Sequence, residues 1–430
     1  MSQPAPRALS SNNTGVHTTT LFNQPLNTVA PPDNGHTDTR LLLGACWCCS
    51  ELILFHARSK TASKAEAEAA ADAAAAVDQR DGLEGVRAAY DALHAASAAL
   101  PPGERPIAYL AEECACVKRE GGFVFRFDRR RFQKRGHQNG GGMRGGELPA
   151  TEVRPPLDRG AFNFLRVAPA ECLGVVALLA QGGESTYRLV VNKWPIYRRH
   201  VLLVSDELRP QVLRRADLGA AAAFMRRPAR LPFLFFNSWS AGASVNHFHF
   251  QAADQRLPIM DCEVVAVAAA VAAAAAGGQH PSSAAAASSA LQLRGFPAHH
   301  AVVRLLPGAV GAAAAPEEGR GEGGGEDLGA AFTDTAVEQL WRLVSAMQAS
   351  NQPHNAFFFG GLAVLVPRSR DPRRRGRFHR GCGGVDFGCN EFGGWFTAFT
   401  EDAFEQYDAG AAAAAMQECS EAIVVADARL

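Results

Sequence analysis

Apolar residues along the chain fall into short runs with strand spacing and longer runs with helix spacing. GGFVFRFDRRRFQKRG, from Gly121, begins with alternation suited to a strand and then turns basic. A short strand is expected at 161–167 (AFNFLRV), and two buried strands at 187–192 (YRLVVN) and 200–205 (HVLLVS), joined by the turn KWPIYRR. A helix around 209–225 leads to a strand at 231–236 (LPFLFF) and, through a polar turn, to another at 244–252 (SVNHFHFQA). LRGFPAHHAVVRLL has strand character. The stretch 334–349 (DTAVEQLWRLVSAMQA) reads as a helix that starts at an Asp or Thr N-cap and gathers Val337, Leu340, Trp341, Val344 and Met347 on one face. Strands at 356–359, 362–366 and 394–399 follow, with an arginine-rich loop at 368–380 between the second and third. Strands packed around helices in this order predict an α+β fold with an antiparallel sheet.

Low-complexity segments divide the pattern. Residues 1–40, rich in Ser, Thr, Asn and Pro, read as a disordered N-terminus. Residues 41–120 read as a helical, variable region, with one or two alanine-rich helices over 63–98. A first folded half is expected at 121–262, with a Gly-rich tether at 140–146, and a second half at 291–430. Between and within them lie Ala-, Gly- and Ser-rich stretches at 263–290 and 308–329, read as surface insertions because such residues build no core. The second half follows the first in its succession of strands and helix, which suggests a duplication, although no residue-level repeat accompanies it.

Composition narrows the function classes. With 430 residues, 47% of them hydrophobic, the chain can build a substantial core. The formal net charge of zero leaves no global field to draw it to nucleic acid or to an anionic membrane, so any anion site must be local, which favours a small phosphorylated ligand. No apolar run reaches the roughly 20 residues that span a bilayer, and no secretory apolar region opens the chain. The expectation is a cytoplasmic protein, with a nuclear or organellar address left open. Among the 10 cysteines, CWCC (46–49) and CAC (114–116) lack the Cys-x2-Cys spacing of common zinc sites and read as buried free thiols in a reducing compartment.

The chemistry concentrates in FFNSWSAGASVNHFHFQA. On a strand, His247, His249 and Gln251 share one face while Phe248 and Phe250 anchor the other. Upstream, Ser238, Ser240, Gly242 and Ser244 supply small and hydroxyl-bearing residues that let a phosphate approach the backbone. A neutral imidazole attacks phosphorus well near neutral pH, provided its other nitrogen is tied up, as by donation to a backbone carbonyl, and the phosphoramidate it forms is labile enough to pass on. Gln251 takes up no proton, so it would orient and stabilise phosphoryl oxygens, favouring transfer over hydrolysis. Satisfied core histidines and a metal pair are the competing readings of His247 and His249, the second lacking a third ligand. The arginines at 126–135 and 368–380 read as solvated loop charges, with attraction of phosphates as their functional alternative. Lys193 is either a phosphate contact or a surface charge, and His299, His300, His354 and His379 read as structural or exposed.

The segment resembles the histidine-triad superfamily in its galactose-1-phosphate uridylyltransferase and dinucleoside polyphosphate phosphorylase branch, which carries His-x-His-x-Gln after a small-residue turn. It is most similar to the GDP-L-galactose and GDP-D-glucose phosphorylases, collinearly over 121–408, through FVFRFDRRRFQKR, GAFNFLRV, VNKWPIYRRHVLLVS, the motif itself, LRGFPAHHAVV, QPHNAFFF, VLVPR and CNEFGGWFTAFTEDAFEQYD. The resemblance implies a histidine-triad-like antiparallel sheet with packed helices in two related halves, each a half-barrel. It implies His249 as the guanylylated nucleophile, Gln251 as phosphoryl stabiliser, His247 in support, and Asn237, Ser238, Gly242 and Ser244 at the nucleotide phosphates. Asn192 and Lys193 match the NK-x-P pattern of dinucleoside polyphosphate phosphorylases better. The implied reaction converts a GDP-hexose and phosphate to hexose 1-phosphate and GDP, with no cofactor or metal, no nucleic acid or membrane partner, and a homodimer as one expected assembly. An ATP adenylyltransferase or dinucleoside polyphosphate phosphorylase is the rival enzyme, and a non-catalytic nucleotide-binding regulator the rival of another class.

Overall fold

The structure of the chain, a computed structural model, describes residues 84–101, 105–111, 116–130, 152–180, 183–227, 231–267, 290–307, 325–374, 377–378 and 385–423. In chain order the elements are α1 (Glu84–Ala98), β1 (Cys116–Glu120), β2 (Phe123–Phe127), β3 (Cys172–Ala180), β4 (Gly183–Val191), β5 (Val201–Ser205), α2 (Arg215–Arg226), β6 (Phe233–Asn237), β7 (His249–Ala253), β8 (Val264–Val267), β9 (Ala290–Leu293), β10 (Ala301–Arg304), α3 (Gly325–Ala349), β11 (His354–Phe359), β12 (Leu362–Pro367), β13 (Arg377–Phe378), β14 (Val385–Asp386), α4 (Cys389–Phe392), β15 (Trp395–Ala398), α5 (Glu401–Glu405) and α6 (Ala409–Cys419).

The expected α+β fold is the one observed. A 10-stranded antiparallel sheet runs β3-β4-β5-β7-β6-β11-β12-β10-β9-β8. Read inward from its two edges, the sheet is β3-β4-β5-β7-β6 on one side and β8-β9-β10-β12-β11 on the other, so both halves follow one order, and each places a helix between its third and fourth strands. They meet at β6 and β11, where Asn237 pairs with Asn355 and Phe235 with Phe357. These central strands, FLFFN and HNAFFF, are buried along their whole length. Burying each Phe stabilises the fold by about 1.5–3 kcal/mol.

The two faces of the sheet are covered differently. Phe248 and Phe250 pack with Phe236, Phe358 and Tyr187, whose hydroxyl donates to Asp217 of α2, so this face lies towards that helix. On the opposite face Tyr197 packs edge-on against Phe233, Phe235 and Trp395. Trp395 belongs to a 3-stranded sheet in which β15 runs parallel to β2 of the β1–β2 hairpin. The C-terminal β15 thus joins a hairpin assigned above to the region before residue 121 and to the first half.

Several expected elements shift, each for a local reason. Residues 161–167 form no strand; Asn163 accepts a hydrogen bond from the Leu165 N–H and caps a 3₁₀ turn at Phe164–Arg166. The helix expected around 209–225 begins at Arg215, where Asp217 accepts from the Arg214 N–H. α3 begins at Gly325, so neither Asp334 nor Thr335 caps it, and it takes in 325–329 of the expected insertion at 308–329; Val337, Leu340, Val344 and Met347 are buried as expected and Trp341 partly so. The other expected insertion, 263–290, opens and closes in strands, β8 and β9. Within 41–120, α1 is the expected helix but β1 is a strand. The N-terminus at 1–40, the tether at 140–146, CWCC, His379 and most of both insertions lie outside the described residues. Among the described residues no helix is long and apolar enough to cross a membrane.

Candidate functional site

The strand carrying the motif begins at His249 rather than Ser244. Before it the backbone bonds to loops: the Ala241 N–H to the Ser238 carbonyl and the Phe248 N–H to the Arg209 carbonyl, while the Asn246 side chain accepts from the Gln211 N–H. From His249 on, the ladder forms with β5 and β6, and register puts His249 opposite Val204 and Gln251 opposite Leu202 and Phe235. His249 and Gln251 therefore share the face away from α2. His247 lies in the bend before the strand yet joins them, because the Phe164 ring sits 4.9 Å from the His249 ring and 6.0 Å from that of His247. Phe164, Val190, Leu202 and Val204 form a small apolar cluster under this face, distinct from the main core.

The tautomers of the two histidines follow from their partners. His249 Nδ1 lies 2.8 Å from the His247 carbonyl oxygen, which only an N–H at Nδ1 satisfies, so in the neutral ring the lone pair lies on Nε2. The arrangement is the one a nucleophilic imidazole needs. His247 donates from Nε2 to the Glu207 carbonyl at 3.1 Å and accepts the Phe164 N–H at Nδ1 at 3.2 Å. Burial lowers its pKa, against the raising effect of the Glu207 and Ser205 carbonyls, so the ring is neutral and structural near pH 7. It fixes the carbonyl that fixes His249.

Gln251 is oriented by a residue the sequence did not single out. His200, fully buried, accepts the Ile196 N–H at Nδ1 (3.2 Å), so its Nε2 carries the hydrogen and donates to Gln251 Oε1 at 3.0 Å. The Gln251 amide thereby keeps its NH2 for another acceptor. Asn192 accepts the Trp194 N–H at 3.0 Å and lies beside His200, while the half-buried Lys193 faces Glu171 electrostatically. Burial pushes the Glu171 carboxyl up to about 7, with the Lys193 charge opposing it.

The small-residue turn is supported from the other half of the sheet. Asn237 Oδ1 accepts from Asn355 Nδ2 at 2.7 Å and from the Cys389 N–H at 2.9 Å, and Asn355 also donates to the Ala241 carbonyl at 2.8 Å. Ser238 is fully buried and accepts the His354 N–H at 2.9 Å, so its hydroxyl is structural, whereas Gly242 and Ser244 are exposed. Gly242 has φ +100°, and a Cβ there would stand 3.0 Å from the Gly388 Cα, so both its conformation and its contact require glycine. The site residues expected from sequence therefore divide. His249, Gln251, Gly242 and Ser244 lie along the turn and the strand face, Asn192 reaches that face through His200, and His247, Asn237 and Ser238 are buried supports.

Two expectations about charge and one about thiols are corrected. Arg126 and Arg368 are not solvated: each is essentially buried. Arg126 pairs with Asp128 at 2.6 Å and donates to the Ile196 carbonyl; Arg368 donates to Asn355 Oδ1 at 3.1 Å and lies over the Phe392 ring at 4.8 Å. Each braces a segment that orients a site residue, and their hydrophobic flanks, FRF and VPRS, were the available signal. Cys116 is exposed rather than buried. His300 and His354 are structural as expected, donating to Ala298 and Gln352 carbonyls. Among the described residues no group of three or more His, Cys, Asp or Glu could hold a metal ion.

Residues 118–253, from β1 to the end of β7, match the family model described as GDPGP1-like, N-terminal domain. The match bears out the resemblance read from the sequence over that segment. Among solved structures, the chain is similar to yeast Ap4A phosphorylase Apa2 in complex with Ap4A, at 14% identity and a TM-score of 0.45, over 79% of this chain and 98% of that one. It is also similar to the same yeast protein in complex with AMP, at 15% identity and a TM-score of 0.41, over 71% and 87%. No curated protein matches the chain.

Proposed function

With a GDPGP1-like N-terminal domain at residues 118–253 as the premise, we propose that this chain is a nucleotidyltransferase, and within that class a GDP-hexose phosphorylase acting on GDP-L-galactose or GDP-D-glucose. The observation that carries the reading is the hydrogen bond from His249 Nδ1 to the His247 carbonyl, which presents Nε2 as the nucleophile. In the first step Nε2 attacks the α-phosphorus, a P–N bond forms, and the bridging oxygen takes the electron pair of the broken anhydride away as hexose 1-phosphate. In the second, an oxygen of inorganic phosphate attacks the same phosphorus, the P–N pair returns to Nε2, and GDP leaves. Gln251, its carbonyl held by His200, turns its NH2 towards the phosphoryl oxygens, and the Gly242–Ser244 backbone and hydroxyl face the remaining charge. Lys193 draws the phosphates in from the edge.

Intact-protein mass spectrometry after mixing the protein with GDP-glucose or GDP-L-galactose, without phosphate, tests this beside a His249→Asn variant. A GMP-sized adduct on the wild type alone, discharged as GDP by added phosphate, is the expected result. The NK-x-P sequence at Asn192 and Lys193 favours a second reading, phosphorolysis of dinucleoside polyphosphates. An AMP adduct from diadenosine tetraphosphate with none from GDP-sugars would select it, and no adduct from either would leave a nucleotide-binding regulator.

A further inference from the structure

The β6–β7 ladder stops short of the nucleophile. Its register pairs Phe233 with Ala253, Leu234 with Ala252 and Phe235 with Gln251, and continuing it would set Asn237 opposite His249. That pair does not form. The side-chain amide of Gln211, 1% exposed, occupies the gap. Its Oε1 accepts the His249 N–H at 2.8 Å, and its Nε2 donates to the His249 carbonyl at 3.1 Å and to the Asn237 carbonyl at 3.0 Å. Its own backbone N–H donates to Asn246 Oδ1 at 2.9 Å. One carboxamide thus replaces a peptide unit in the ladder, satisfying both main-chain groups of the nucleophile and the carbonyl from which the small-residue turn departs.

The substitution has a geometric effect. Direct pairing would bring the two backbones to the ordinary inter-strand spacing of about 4.8 Å. An amide between them holds His249 and the start of the turn apart while keeping them hydrogen-bonded to one rigid plane. We propose that Gln211 is a positioning residue that sets the separation between the His249 imidazole and the Ser238–Ser244 turn, and with it the space into which the reacting phosphorus fits. The inference rests on the nucleotidyltransferase reading above. Gln211 touches no reacting atom; it acts through the backbone of the residue that does.

The test compares Gln211→Met, which keeps the volume without the amide, and Gln211→Asn, whose amide is one methylene short, with Gln348→Ala. Gln348 is a similarly buried amide that donates to the Leu213 carbonyl at 3.0 Å on the α3 side, and it serves as the structural control. Two readouts are taken on folded protein: the single-turnover rate of adduct formation with GDP-glucose, and the long-range ¹⁵N–¹H correlation of the His249 ring, which reports its tautomer without substrate. We expect Gln211→Met to slow adduct formation about 100-fold, the scale of an ångström's misplacement, and to replace the single Nδ1–H pattern with a mixture. Gln211→Asn should fall between it and the wild type, and Gln348→Ala should leave rate and tautomer unchanged whatever its melting temperature. Wild-type rate and tautomer in both Gln211 variants, or equal losses in Gln348→Ala, would overturn the proposal. A wild type that forms no adduct would instead count against the enzymatic reading, and the tautomer comparison would still decide the role of Gln211.

Discussion

At the scale of single residues, the site depends on which atom of each polar group is already engaged. The shared face of His249 and Gln251 was legible from alternation alone, and the chemistry of a nucleophilic imidazole called for a backbone carbonyl on its other nitrogen. What alternation could not supply was the supporting set, His200, Gln211, Asn355 and Arg368, because these act across 13 to 118 positions of chain through contacts that no local pattern encodes. Gly242→Ala should cost about 1–3 kcal/mol of backbone strain, lowering nucleotide affinity measured by calorimetry while leaving the His249 tautomer as it is. Glu171 gives a pH test. Burial pushes its carboxyl up to about 7, so above that pH its charge engages Lys193, and on the proposed function it then competes with substrate phosphate. The KM for the nucleotide should rise between pH 6 and pH 8 in the wild type and stay flat in Glu171→Gln; a parallel rise in both would remove Lys193 from the binding step.

At the scale of elements, the pattern of apolar runs located β5, β6, β11 and β12 because those strands are buried along their whole length, so hydrophobicity alone marks them; it missed β3, β8 and β9 towards the sheet edges, where Val175, Ala266 and Gln292 are exposed. It misplaced ends wherever a side chain replaced a backbone partner: Asn163 at the missing strand, Asp217 at the start of α2, Gln211 and Asn246 ahead of β7. Pairing of β2 with β15 was invisible for another reason, since a parallel contact across most of the chain leaves no local signature. The hairpin is braced by the buried Arg126–Asp128 pair, with Arg130 also on Asp128 at 3.0 Å. Arg126→Met removes the main countercharge and the bond to the Ile196 carbonyl, and should cost about 3 kcal/mol in urea unfolding. Adding Asp128→Leu should recover part of that loss, because no unpaired buried carboxylate then remains.

At the scale of the whole molecule, acid should unfold the chain through its buried histidines. Burial lowers the pKa of His247 and His300 and takes that of His354 to about 4, so each folded-state value lies below the unfolded one. Above about pH 6.5 neither state is protonated there and nothing is lost. As pH falls from there towards 4 the unfolded chain takes up protons that the folded chain refuses, and stability drops, by about 3 kcal/mol for His354 alone. Urea midpoints at pH 7, 6 and 5 check this, and His354→Leu should start lower and decline less. The common strand order of the two halves has a further consequence. The stretch between β5 and α2, which holds Arg209 and Gln211, corresponds in position to the stretch between β10 and α3, where the Ala- and Gly-rich residues 308–324 fall. On the proposed function, the first slot has its length held by the chemistry it serves, while its counterpart carries no such duty. Insertional drift across relatives should collect in the second slot and spare the first, making loop length itself a record of which half works.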